Sequence, residues 1–317
     1  MFGIALSVAA CLRARTRVDV AWLVGAHDLG AFDPADAVAL TPGGGRMGSL
    51  LSGALDGQLA ELAGRKSAEG RLLDLEVTPI EAVLAGMRAG GRVRCLLAPA
   101  TELPAEIWPL LVDRQPLCLV SRVDRDIITS TAYFDSTSIG EAGDGAARRF
   151  RLGVASTEMV DGAVLTVLWP TPRLVVMGAG DIAEALCDAA RLLGWQPTVA
   201  SDPDMAVGLA AGLSRMDQLV VMGHDVEAVG RVLAAALASE VGYIGSLGSP
   251  RMQENRADWL AYRGVIDLDR IHGPAGLDIG ARTPAEIAVS IVAEVLAVRN
   301  ATAAQSSHGA SAVPSTR

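Results

Sequence analysis

The chain has 317 residues, half of them hydrophobic and 20% charged, with a mean hydropathy of +0.34. That length suggests two domains, and the composition excludes a disordered chain, a collagen-like chain and a small disulfide scaffold. Lysine and arginine number 27 against 36 acids, a net charge of −9 without any basic run, which argues against a nucleic-acid-binding protein.

The opening MFGIALSVAACLR is apolar for about a dozen residues and lacks a basic stretch before it. It is too short to span a bilayer and reads as a helix packed on its domain. No other stretch is long and apolar enough for a membrane span. Cys11, Cys95, Cys118 and Cys187 are far apart, with no CxxC and no Cys/His cluster, so reduced thiols in a cytoplasm fit better than disulfides or structural zinc. Apolar runs bounded by turn residues predict strands at 19–26, at 92–99 after Gly90-Gly91, and at 116–123. Helices are expected over Ser52–Leu62 and Pro79–Arg88. Asp135–Gly145 reads as a loop, and the two prolines of WPTPR (169–173) mark a domain boundary.

From Arg173 the pattern changes to alternating strand and helix. Strands are expected at 173–178, 196–201, 217–224 and 241–246, with helices at 181–193, 226–237 and from Pro250. This alternation builds a parallel sheet with helices on both faces. The last helix opens with a capping box, Thr283 as N-cap, Pro284 first in the helix and Glu286 reaching back. Its apolar stripe is Ile287, Ile291, Val295 and Val298. No internal repeat is visible, and the Ala/Ser-rich stretch 300–317 reads as a disordered tail. The expected fold is therefore α/β: a Rossmann-like parallel-sheet domain over 171–299, preceded by a smaller α+β N-terminal domain over 1–170.

The chemistry lies in the loops after the strands. VVMGAGDIAEAL puts Gly178 and Gly180 between a strand and a helix, where glycines let a diphosphate approach the free N–H groups of the helix start. Ala183 takes the third position of GxGxxG, and Asp181 sits beside the expected anion. Asp202 follows Gly180 by 22 residues, close to the spacing of an acid that accepts from a ribose 2′-OH. The competing reading is a tight turn serving packing alone. His224 could hold a ligand or move a proton, or be merely exposed beside a capping Asp225. YIGSLGSPR offers Gly245, Gly248 and Ser249 before a helix with Arg251 in its first turn; Ser249 either caps that helix or donates to a phosphate. HGPAGLDIGARTP, with Gly276 and Asp278, is longer than a plain connection requires. No catalytic triad, metal cluster or carboxylate pair is legible by spacing, so these loops suit binding better than reaction. NAD(P) is one ligand they could take, which would make the chain an oxidoreductase. A ligand-free assembly scaffold is another reading.

YIGSLGS and GLDIGARTPAEIAVSIVAEVLA resemble the C-terminal signature of the xanthine dehydrogenase accessory factor family, which includes the accessory protein of aerobic carbon monoxide dehydrogenase. The likeness runs through most of 170–300. It is fainter in the first domain, through GGGRMGSLLSGALDGQLAE and RAGGRVRCLLAP. The resemblance implies a homodimeric chaperone that binds a molybdopterin-type molybdenum cofactor, supports its sulfuration by a cysteine desulfurase, and delivers it to a molybdenum hydroxylase. It implies no substrate turnover, and therefore a chaperone rather than an enzyme. Three positions depart from the family pattern. The family string GGC-x-E reads Gly53-Ala54-Leu55-Asp56 here, a second family cysteine is Ala89, and a histidine after GxG is Asp181.

Overall fold

The computed structural model describes the backbone of residues 1–308 other than 28, 30, 31, 66 and 67, and side chains up to residue 300. The chain divides into two compact units, Met1–Pro170 and Thr171–Arg317.

The first unit runs α1 (Ala5–Arg13), β1 (Asp19–His27), β2 (Val38–Leu40), β3 (Arg46–Gly48), α2 (Asp56–Gly64), β4 (Arg71–Val77), α3 (Pro79–Leu84), β5 (Gly91–Pro99), α4 (Ile107–Val112), β6 (Leu117–Asp124), β7 (Ile127–Phe134), α5 (Asp144–Phe150), β8 (Ser156–Val160) and β9 (Ala163–Leu168). Its nine strands form one sheet in the order β3-β2-β1-β5-β4-β7-β6-β9-β8, with antiparallel pairings throughout. β1 is buried on both faces because successive side chains point opposite ways. Val20, Trp22 and Val24 enter one core with α1 and α4, while Ala21 and Leu23 enter another with α2.

Two expected helices are shorter or shifted. The one predicted from Ser52 begins at Asp56, because Leu51, Ser52 and Gly53 all take positive φ. The one predicted to Arg88 stops at Leu84, ahead of Gly86 at φ +71°. Asp135–Gly145 is not all loop, since a short turn covers Ile139–Ala142 and α5 starts at Asp144.

The second unit runs β10 (Arg173–Met177), α6 (Asp181–Leu192), β11 (Gln196–Ala200), α7 (Pro203–Ala211), β12 (Gln218–Val221), α8 (Val226–Ala238), β13 (Tyr243–Ser246), α9 (Pro250–Tyr262), β14 (Ile271–His272) and α10 (Pro284–His308). Its strands lie in the order β11-β10-β12-β13-β14, all parallel. Apolar clusters cover both faces, one with α7, α8 and α9 and the other with α6 and α10. At the amino ends of the strands, buried Asp217 accepts from the Arg173 backbone N–H (2.9 Å), from its Nη2 (2.6 Å) and from Ser214 Oγ (2.9 Å), joining β10 to the approach of β12. The capping box forms as expected: Thr283 Oγ1 accepts from Glu286 N (3.3 Å) and Glu286 Oε2 from Thr283 N (2.9 Å). Ile291 and Val295 of the predicted stripe are buried. α10 continues to His308, past the expected start of the tail; the rest of that tail, 309–317, lies outside the described residues.

Candidate functional site

The order of strands reverses at β10, so β11 and β12 leave it in opposite directions. In open α/β sheets the crevice at such a switch point, outside the carboxyl ends of the strands, is where ligands sit. All the loops singled out in the sequence fall at these carboxyl ends.

Gly178 follows β10 at φ +136° and donates its N–H to Ala200 O at 3.2 Å. A Cβ here would meet Met222 Cβ and O at 3.0 Å, so the glycine lets the ends of β10 and β12 approach. Gly180 has φ +96° and open space where a Cβ would lie. It is the N-cap of α6 and has no side-chain cap, so no side-chain oxygen occupies the first-turn N–H groups. An uncapped helix start behind a glycine turn is a donor set that fits a phosphate oxygen. Asp181 is exposed in that first turn.

The other loops are more committed to structure. Asp202 caps α7, its Oδ2 accepting from Met205 N at 3.1 Å. Asp225 caps α8, with Oδ1 accepting from Glu227 N (2.9 Å) and Ala228 N (3.0 Å), and His224 beside it is exposed. Ser249 caps α9 through Met252 N at 3.4 Å. Gly248, at φ +139°, packs on Met252. Gly245 makes room for the ring of Tyr243, whose Cε1 would lie 2.8 Å from a Cβ. Gly276, at φ +102°, donates to Glu294 Oε2 at 2.8 Å, while Asp278 is exposed. Gly178, Gly180, Asp181, His224 and Asp225 therefore share the switch point between β10 and β12. Gly248 and Ser249 stand one strand away, and Gly276 and Asp278 follow the edge strand β14.

Two features escape the sequence reading. Arg256 of α9 is 2% exposed. Its Nη1 donates to Ser246 Oγ and Leu247 O (2.6 Å each) and its Nη2 to Gly223 O (2.7 Å), so one guanidinium ties the carboxyl ends of β12 and β13 together. Burial pulls its pKa below the usual arginine value. Nothing local in the sequence marks it, since its partners are two carbonyls and a hydroxyl brought up by the sheet. The second feature is Glu294 of α10, which accepts from Tyr243 OH (2.5 Å) and lies 3.5 Å from His272 Nδ1. The His272 ring stacks on Tyr243 with centroids 4.8 Å apart. Burial, then the bond to Glu294, pushes the Tyr243 phenol upward in pKa. Glu294 thereby anchors the Gly276 loop to β13, β14 and α10.

The first unit offers no thiol for a metal at the two family cysteine positions, where Ala54 is half-buried and Ala89 is exposed. Asp56 is buried and paired to Arg46 Nη1 at 2.5 Å. Burial pushes the thiols of Cys95 and Cys118 up to about 12, so neither supplies a thiolate near neutral pH. Among the described residues no group of three or more His, Cys, Asp or Glu could hold a metal ion. No helix among them is long and apolar enough to cross a membrane.

A parallel five-stranded sheet with a glycine turn at its switch point makes the second unit a Rossmann-type domain. Residues 174–295 match the XdhC Rossmann domain family. The chain is 31% identical over 153 residues to the uncharacterized protein YqeB of Escherichia coli K12, a match covering 41% of this chain and 28% of that protein. It is 30% identical over 149 residues to a probable xanthine dehydrogenase subunit of Bacillus subtilis 168, covering 41% of this chain and 44% of that one. The matches thus span less than half the length of these two relatives. A crystal structure described as a xanthine dehydrogenase from Bacillus halodurans aligns with 94% of this chain and 96% of its own, at 18% identity and a TM-score of 0.47.

Proposed function

We propose that this chain is an accessory protein for a molybdenum hydroxylase of the xanthine dehydrogenase type, and that it holds the phosphate end of a pterin-type molybdenum cofactor at the Gly178–Asp181 turn. The observation that carries this reading is the family match over 174–295, whose glycine turn leaves the start of α6 free of side-chain caps. The backbone N–H groups of that turn would bind the phosphate, because Gly180 presents no side chain and the helix dipole favours an anion. Arg256 would keep the β12 and β13 ends in register beside it. When bound, the cofactor carries the redox-active metal centre that the hydroxylase uses.

This chain's part is binding and delivery. The buried thiols of Cys95, Cys118 and Cys187 do not suit sulfur transfer, so sulfuration would fall to a partner cysteine desulfurase while this chain presents the cofactor. The hydroxylase is the second partner, the chain would act as a homodimer, and the cytoplasm is the compartment. The test is maturation: a xanthine dehydrogenase-type hydroxylase is produced with this chain, without it, and with Gly180→Val. The reading expects sulfurated, active hydroxylase only with the parent chain. Equal activity in all three would overturn it, and activity retained with Gly180→Val alone would favour a scaffold that needs no ligand.

A further inference from the structure

β8 lies against β1 although five strands separate them in the sheet, so the first unit's sheet curls into an incomplete barrel. Trp22, Leu72, Leu96 and Val164 fill its interior. A polar path crosses that interior: Trp22 Nε1 donates to Thr166 Oγ1 (3.0 Å), which lies 3.3 Å from Thr157 Oγ1. Thr157 in turn lines a groove of about 650 Å³ at the mouth of the barrel, with β1, β4 and β5 on one side and β8 on the other. The β-bulge between Leu23 and Gly25 sets Gly25 opposite Arg94, and the space above Gly25 is open. Bulges at barrel rims commonly re-aim side chains in this way. The register then places Gly25, Arg94 and Asp74 in one row, with His27 opposite Arg92 two rows away.

Two basic side chains of this groove are left without bonded partners. Arg94 grips Asp74 with two bonds (2.8 and 2.6 Å). Glu158 is paired with Arg149. Both acids lining the groove are therefore matched, while the side chains of Arg92, which faces Glu76 across β4 and β5, and of His27 form no hydrogen bond or ion pair among the described residues. Both nonetheless lie within electrostatic reach of Asp74: the bond from Arg94 and then the charges of Arg94, Arg92 and His27 hold its carboxyl below the usual range.

We propose that this mouth is a binding site for a small phosphate-bearing molecule, its phosphate held between Arg92 and His27 and its apolar part lying against Val24 and Met159. Mouths of barrels are common ligand sites, a free guanidinium matches phosphate geometry, and histidine adds a donor. The site is built from first-unit residues alone and does not rest on the function proposed for the glycine turn of the second. The test follows the histidine ring signals of the full chain by NMR during titration with inorganic phosphate, against sodium chloride at equal ionic strength. His27→Ala identifies the His27 signal. The expected result is a saturable shift of that signal with phosphate alone, weakened about tenfold by Arg92→Ala, as loss of one charged bond predicts, and partly restored in Arg92→Lys. Gly180→Ala keeps the His27 response whether or not the second unit binds anions, so failure at one site is distinguishable from failure at the other. A His27 signal that stays still, that moves equally with chloride, or that ignores Arg92→Ala overturns the proposal.

Discussion

Replacing Arg256 by methionine tests whether one buried cation holds the two strand ends beneath the candidate site. The substitution keeps an apolar stem of similar length and removes three donated bonds, leaving Ser246 Oγ, Leu247 O and Gly223 O without them. A buried acceptor left without its donor costs ~1 kcal/mol or more. Removing the cation also relieves its desolvation, so the loss is set at the low end, ~3 kcal/mol in all. For a unit of this size ~1 kcal/mol moves the melting temperature by roughly 2–4 °C, which gives a fall of about 6–12 °C. Differential scanning calorimetry of parent and Arg256→Met measures it, with Arg256→Lys expected to fall between them. A shift below about 2 °C would refute the reasoning, because the three acceptors would then be satisfied without the guanidinium.

Gly178→Ala should cost more stability than Gly180→Ala in urea unfolding, by about 1 kcal/mol. Both residues take positive φ, a strain of roughly 1–2 kcal/mol for alanine, but only position 178 also meets Met222; equal losses would contradict this. Acid should weaken the fold. Backbone N–H groups at Thr283 and Thr78 hold the carboxyls of Glu286 and Glu81 below their usual range, as the Thr137 hydroxyl does for Asp135 and Arg94 for Asp74. Groups with depressed folded-state pKa contribute fully above their unfolded values, near 4, and lose that contribution as pH falls through the folded ones. Melting temperature should therefore drop below about pH 4, less steeply in Glu286→Gln, and a rise there would refute the assignment. A disulfide reagent at pH 8 should label Cys11 in the native chain, whereas Cys95 and Cys118 should react only after unfolding; fast native labelling of Cys95 would reopen sulfur transfer by this chain.

The second unit is readable because its signals are local. Apolar strands alternate with helices, two glycines break a strand from a helix, and Thr283, Pro284 and Glu286 announce α10. α7 escapes a reading that assigns Asp202 to a ribose, although Asp202-Pro203 carries a helix-start signal; in the structure Asp202 spends one oxygen on the cap. β14 has two residues, too few to show any period. In the first unit, β2 and β3 are three residues each, and β7 mixes Ile127 and Ile128 with Thr129, Ser130 and Thr131, so their strand character depends on the partners they pair with. At the site, the glycine turn is visible in the sequence. Arg256 and Glu294 are not, because a charged residue on a helix reads as a solvated face until the fold brings carbonyls, a tyrosine and a histidine to it.

The central claim is that the second unit binds a pterin-type molybdenum cofactor through the Gly178–Asp181 turn. Native mass spectrometry of the full chain, titrated in parallel with molybdenum cofactor and with NAD, tests it most directly. The account predicts adducts with the cofactor that vanish in Gly180→Val. Adducts with NAD alone, or none with either ligand, would contradict it.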